Sequence, residues 1–131
     1  MGPILNLVVH EGRLAIVRFP PDASLPAWAG GSFLSLTRSE REMSLVCREA
    51  LVPADLKCER GWRRLSVDGI LDFSLTGILA SVAGPLAEAG IPLFAVSTHD
   101  TDHFMVKDRH LLEAVAVLIA AGHRMVPHDD K

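Results

Sequence analysis

The pattern of apolar and polar residues predicts two β-hairpins in the first half of the chain. Short β-rich runs recur there, separated by charged and small residues that are typical of turns. The four predicted strands cover residues 4–10, 14–19, 33–37 and 43–48. Between the hairpins Pro20 breaks the pairing, and we expect Ser24 to cap a short helix that ends at Gly30. The predicted order of this half is β-β-α-β-β.

The second half combines strand patterns with two helical ones. Apolar residues recur at helical spacing around 78–89 and again around 111–119. We expect Ser74 to cap the first helix, Pro85 to kink it and Asp108 to cap the second helix. Strands are predicted at 62–67, 93–96, 104–106 and 124–126. The resulting β-α-β-β-α-β order is typical of the ferredoxin-like fold, in which two helices cover one face of an antiparallel sheet.

The segment 50–61 separates the two patterns. It contains a proline, several charges and little periodicity, which favours a linker. We therefore predict an α+β protein with two tandem ferredoxin-like (βαββαβ) subdomains, at 1–60 and 61–131. The first is a trimmed version of the second.

Composition narrows the classes of partner. The chain has 131 residues, 49% of them hydrophobic, and a net charge of −3, so it can bury a core but lacks the positive field of a nucleic-acid-binding protein. The apolar run 111–121 contains Glu113 and is too short to span a bilayer, and the N-terminus lacks the layout of a secretory signal. We expect a cytoplasmic protein that binds neither nucleic acid nor membrane.

No motif for a cofactor or for catalysis is present. Gly30-Gly31 is not followed by the Lys and Ser/Thr of a phosphate loop, and no serine lies in a nucleophile elbow. Cys47 and Cys58 form no CxxC pair. His123 and His128, near the C-terminus, are tied to no partner by the pattern. We expect no cofactor and no enzymatic activity.

The richest cluster of polar side chains spans 97–103, Ser-Thr-His-Asp-Thr-Asp-His. The β-rich runs on either side place it at a hairpin tip. His99, Asp100, Asp102 and His103 are residue types that bind zinc or iron, which leaves a metal site or hydrolase as an alternative. Against it, neighbours on a tight hairpin point to opposite faces, and no partner motif such as HExxH appears elsewhere. Asp102 is also a common type of turn residue.

Two stretches resemble the ACT domain, a module that binds amino acids. They are Asp-Phe-Ser-Leu-Thr-Gly-Ile-Leu at 72–79 and the segment 91–106. The resemblance covers about 62–119, and the first half only by strand order. It is closest to tandem ACT proteins such as aspartate kinase regulatory domains and the cytosolic arginine sensors of animals.

The resemblance also implies where a ligand binds. It indicates a ligand at the interface of two subdomains, with Gly77 and Ile78 as backbone contacts and Thr98, His99 and Asp102 as contacts from the hairpin. The first half lacks the Thr-Gly-Ile helix start, which suggests that a second, symmetric site has been lost.

Elementary electrostatics supports binding of a zwitterion by these residues. A helix start offers unpaired N–H groups and partial positive charge to a carboxylate, while Asp102 complements an ammonium group. Two or three such bonds, at roughly 1.5–3 kcal/mol each, suffice for micromolar affinity. We therefore expect an amino acid sensor that forms a homodimer and regulates a separate target protein. A ligand-free protein interaction module is the other alternative.

Overall fold

The computed structural model describes residues 2–72 and 74–127, which form a mixed α+β fold. The strands are β1 Asn6–Val9, β2 Leu14–Phe19, β3 Leu34–Arg38, β4 Met43–Arg48, β5 Glu59–Val67, β6 Phe94–Ser97, β7 Asp102–Lys107 and β8 Arg124–Met125. The helices are α1 Ile78–Glu88 and α2 Leu111–Ala120. None of the described helices combines the length and apolar content needed to cross a bilayer. The predicted α+β class is confirmed.

The chain divides into two compact units. Residues Gly12–Trp62 form one, here called the central unit, and the residues before Gly12 and after Trp62 form the other, the terminal unit. This division differs from the predicted boundary at residue 60, because β1 belongs with the second half of the chain. It pairs antiparallel with β5, with Leu7 opposite Val67, and parallel with β8.

The terminal unit contains the predicted β-α-β-β-α-β order with β1 added. β7 lies between β5 and β6, and β1 lies between β5 and β8. One pair of strands departs from the predicted antiparallel pairing, since β1 lies beside β5 and runs in the same direction as β8. Both helices pack on a core with side chains from alternate strand positions, such as Leu65, Val67, Phe104 and Val106.

The central unit is a sheet of β3, β4, β2 and the first part of β5, in that order. Its core comprises Ala15, Val17, Met43, Leu45, Cys47 and Val52. The helix expected after Ser24 is not formed. The chain makes two separate turns instead, in which the carbonyls of Pro20 and Pro26 accept hydrogen bonds from the N–H groups three residues later. Pro26 disfavours helical backbone in the residue before it, so no helix connects the two turns.

Candidate functional site

The first turn of α1 begins at a glycine. Gly77 has a φ of +79° and precedes the first helical residue, Ile78, and its carbonyl accepts the N–H of Ser81 at 2.9 Å. Ser74 was expected to cap this helix and does not. Its N–H donates to Asp72 Oδ1 at 2.9 Å in a separate turn, and no described side chain caps α1. The N–H groups of the first turn therefore have no side-chain acceptor within the described part of the chain.

Asp72 lies in the loop before α1, which is joined to the hairpin between β6 and β7. The Leu71 N–H donates to the Asp100 carbonyl at 2.6 Å. Hydrogen bonds from the backbone N–H and the hydroxyl of Ser74 lower the pKa of the Asp72 carboxyl. Asp72 therefore carries its negative charge at neutral pH.

The hairpin tip is shorter than the sequence predicts. Ser97 and Asp102 are paired across β6 and β7, so the turn consists of 98–101, and Asp102 and His103 lie on a strand. The N–H and the hydroxyl of Thr98 both donate to the Thr101 carbonyl, at 2.9 and 3.1 Å. The Thr101 hydroxyl donates to the Val67 carbonyl at 2.9 Å. The first two bonds close the turn, and the third joins it to the end of β5.

A cleft of about 290 Å³ opens between the start of α1 and this tip. Its lining residues are Leu71, Asp72, Leu75, Gly77, Ile78, Leu79, Ser97, Thr98, His99, Asp100, Thr101 and Asp102. The five residues predicted to contact a ligand, Gly77, Ile78, Thr98, His99 and Asp102, are all among them. All lining residues belong to the terminal unit, and the predicted position of the ligand at an interface of subdomains stays a prediction.

The charge of the cleft is one-sided. Three carboxylates line it, from Asp72, Asp100 and Asp102, and no lysine or arginine does. Leucines at 71, 75 and 79 supply an apolar wall. The cleft thus combines backbone donors, carboxylates and aliphatic surface.

The four side chains proposed as metal ligands do not converge. His99 Nδ1 lies 3.0 Å from Asp100 Oδ1, with both side chains mostly exposed, whereas His103 Nδ1 lies 3.1 Å from Arg64 Nη1 on the neighbouring strand. Burial and the charge of Arg64 lower the pKa of His103 from 6.5 to about 4. No group of three or more His, Cys, Asp or Glu side chains in the described ranges could hold a metal ion.

His123 makes contacts that the sequence pattern did not indicate. Its ring is 4% exposed, Nδ1 accepts the Leu5 N–H at 3.0 Å, and Nε2 lies 2.8 Å from the Ser81 carbonyl of α1. An isolated histidine after Gly122 carries no periodic signal, because its partners are 118 and 42 residues away. His128 and Phe73, also considered above, lie outside the described residues.

Comparison with known families agrees with this architecture. Residues 57–120 match the model of the ACT domain, and a second model, for an N-terminal domain, matches residues 12–55. Residues 57–120 of the chain therefore belong to the ACT domain family. The predicted resemblance is confirmed.

Individual relatives extend the comparison to most of the chain. A protein of solved structure from Agrobacterium tumefaciens is 37% identical, with a TM-score of 0.89 over 97% of this chain and 96% of that one. The regulatory subunit of aspartate kinase from Thermus flavus has a TM-score of 0.59 and 12% identity, over 90% of this chain and 97% of that one. At that identity the likeness shows the fold alone.

A curated relative carries a name that describes its role. Subunit 1 of the cytosolic arginine sensor for mTORC1 from Pongo abelii is 31% identical over 111 residues, which are 77% of this chain and 34% of that protein. The chain therefore spans about a third of the length of this relative. Among these proteins, one is thus named as an amino acid sensor and one as a regulatory subunit.

Proposed function

We propose that the protein is a sensor that binds a free amino acid in the cleft between α1 and the hairpin tip, and acts through regulation rather than catalysis. The observation that carries the proposal is that Gly77, Ile78, Thr98, His99 and Asp102 line one cleft. The match of residues 57–120 to the ACT domain and the named role of the arginine sensor support it.

The two ends of the cleft suit the two charges of a zwitterion. The N–H groups at the start of α1 present donors and partial positive charge to the ligand carboxylate. Asp102 accepts charge-assisted hydrogen bonds from the ammonium group. Gly77 has no side chain to keep the carboxylate away from the helix start.

The lining also favours one class of ligand side chain. The cleft is lined by three carboxylates, whereas the single ammonium group of a zwitterion pairs with only one of them. A second positive charge on the ligand side chain therefore reduces the repulsion among the three carboxylates. The aliphatic stem of an arginine or lysine fits the wall of Leu71, Leu75 and Leu79. The name of the curated relative supports arginine as the first ligand to test.

The direct test is thermal unfolding of the protein with each of the twenty amino acids in turn. A ligand at one hundred times its dissociation constant stabilises the folded state by about 2.7 kcal/mol. We expect arginine and lysine to raise the melting temperature most and glutamate and aspartate not at all. No shift with any amino acid would overturn the proposal.

A matched pair of variants assigns the site. Asp102→Asn removes a charge inside the cleft, and we expect it to weaken binding by about ten- to a hundredfold. Asp55→Asn makes the same change at an exposed position of the central unit that does not line the cleft, and should bind as the parent does. Equal binding by both variants would place the ligand elsewhere.

A second candidate function, self-association, is favoured by β3. This strand is at the end of the strand order, and Leu34 and Leu36 on it are 40% and 42% exposed. An unpaired edge with exposed leucines is a surface on which a second copy can add its own strand. We propose a cytoplasmic homodimer that presents ligand occupancy to a target protein. Sedimentation of the parent and of Leu36→Lys tests this, since only the parent should sediment as a dimer.

A further inference from the structure

We propose that His123 is a positioning residue for the cleft. Its ring ties the first turn of α1 to the N-terminal segment, defined as residues 2–5, and thereby sets the affinity of the cleft for its ligand. This inference rests on the proposed function and adds a residue that lies outside the cleft lining.

The hydrogen bonds of His123 define the tautomer of its ring. The backbone N–H of Leu5 is a donor only, so Nδ1 must accept from it. The proton of the neutral ring is then on Nε2, which donates to the Ser81 carbonyl at 2.8 Å. Both ring nitrogens therefore have hydrogen-bond partners, and the residue as a whole is 4% exposed.

These bonds continue to the residues that face the ligand. The Ser81 N–H donates to the Gly77 carbonyl at 2.9 Å, and Gly77 lines the cleft. A run of hydrogen bonds thus leads from Gly77 through Ser81 and His123 to Leu5. Leu5 directly precedes β1. The hydrogen bonds therefore connect the start of α1 to a strand of the sheet.

Packing of the N-terminal segment against the same turn is a second, independent observation. A Cβ on Gly2 would lie 2.8 Å from the Ser81 Cβ, so the segment approaches α1 more closely than any other residue type permits without a shift. Pro3 Cδ lies 3.4 Å from the position of a Cβ on Gly77. The segment therefore contacts both ends of the turn that His123 holds.

A charged ligand is sensitive to the position of this turn. Hydrogen bonds weaken steeply as the donor angle departs from linearity, and those to a charged group are the strongest in the site. Loosening the turn therefore lowers ligand affinity even when the fold is retained. Ligand binding, in turn, should order the N-terminal segment.

Two substitutions each remove one of the two bonds. In His123→Asn the amide oxygen takes the place of Nδ1 and keeps the bond to Leu5, while the bond to Ser81 is lost. In His123→Gln the amide nitrogen takes the place of Nε2 and keeps the bond to Ser81. We expect each variant to bind the most stabilising amino acid about tenfold more weakly by calorimetry, at a temperature well below its melting point.

A stability-matched control separates positioning from simple destabilisation. Leu118→Val shortens a buried side chain of α2 in the core that α1 also packs on, and it keeps the backbone bond in which the Leu118 carbonyl accepts the His123 N–H at 3.1 Å. It should lower the melting temperature and leave the affinity unchanged. If the two His123 variants also bind within twofold of the parent, the inference is overturned.

Hydrogen exchange in the ligand-free protein distinguishes this failure from failure of the proposed function. We expect His123→Asn to speed exchange of the Ser81 amide, and Leu118→Val to leave its ratio to the other α1 amides unchanged. A parent protein that binds no amino acid overturns both the proposed function and the affinity role. A parent that binds, with variants unchanged in affinity and exchange, overturns the role of His123 alone.

Discussion

The central and terminal units differ in what covers their sheets. Each has an apolar core, but α1 and α2 cover the core of the terminal unit, whereas turns and loops that carry Trp28 and Leu56 pack on that of the central unit. The buried side chains of both cores are mainly aliphatic. In the terminal unit, α1 also begins with backbone N–H groups that no described side chain caps.

The loops of the central unit use their backbone donors within the loops themselves. The N–H groups of Ala23, Ala29, Val52 and Leu56 donate to the carbonyls of Pro20, Pro26, Glu49 and Pro53, respectively. A donor that is already bonded offers nothing further to a carboxylate. The difference teaches that turns and loops can cover a core, but that only a unit with long helices can offer a ligand the start of one. That the central unit is a reduced ACT-like domain stays a prediction.

The largest expected effect comes from the helix-covered core. Phe104 is 1% exposed, and Phe104→Ala should lower the free energy of unfolding by about 3–5 kcal/mol through the cavity it leaves. Leu45→Ala in the central unit, also fully buried, should cost about 2–5 kcal/mol. Denaturant unfolding measures both. Only Phe104→Ala should also abolish the stabilisation by amino acids. Loss of that stabilisation in Leu45→Ala alone would contradict the assignment of the ligand to the terminal unit.

A smaller effect sharpens the role of the helix start. Gly77→Ala forces a Cβ into the left-handed region at a φ of +79°, which should cost about 1–2 kcal/mol and weaken ligand binding. Gly84→Ala lies inside the same helix, with no atom within 4 Å of the added Cβ, and should stabilise the protein by about 0.5–1 kcal/mol. Thermal unfolding of both variants gives the signs. Destabilisation of similar size in both would contradict a special conformation at Gly77.

The sequence predicted the strands, both long helices and the cleft residues. Apolar periodicity is a local property, and β2 and β4 were predicted with their observed bounds because turn residues flank them on both sides. The five residues predicted as ligand contacts, which are among the twelve that line the cleft, came from the resemblance of 72–79 and 91–106 to a known domain. Spacing alone left Asp102 open as a turn residue, whereas it lies on β7.

What the sequence did not predict depends on contacts between distant residues. The place of β1 is set by pairing with β5 and β8, about 60 and 118 residues away, and no local pattern encodes that choice. The same holds for the bonds of His123. The helix caps were wrong for a different reason, since other residues occupy the cap positions. Gly77 precedes α1 in place of Ser74, and a 3-10 turn at Asp108–His110 puts His110 rather than Asp108 directly before α2.

The smallest expected effect concerns pH and the face of the terminal sheet opposite the helices. Phe104 packs under the helices, so its neighbour His103 lies on the other face, where burial and Arg64 hold its pKa at about 4. In the unfolded chain His103 binds a proton near pH 6.5, whereas in the folded chain it does so only near pH 4. The contribution of the neutral ring to the free energy of unfolding is therefore complete above pH 6.5 and decreases as the pH falls from 6.5 to 4.

The central unit contains no histidine, so this acid sensitivity separates the two units. We expect the melting temperature to fall between pH 7 and pH 5, with faster hydrogen exchange at the β7 amides than at those of β2 and β4. His103→Gln, which cannot be protonated in this range, should flatten the profile of the terminal unit. Because the ring is half-buried, solvent screens part of the effect, and the change should stay below that of Gly77→Ala. If His103→Gln loses stability at acid pH as the parent does, groups other than His103 cause the loss.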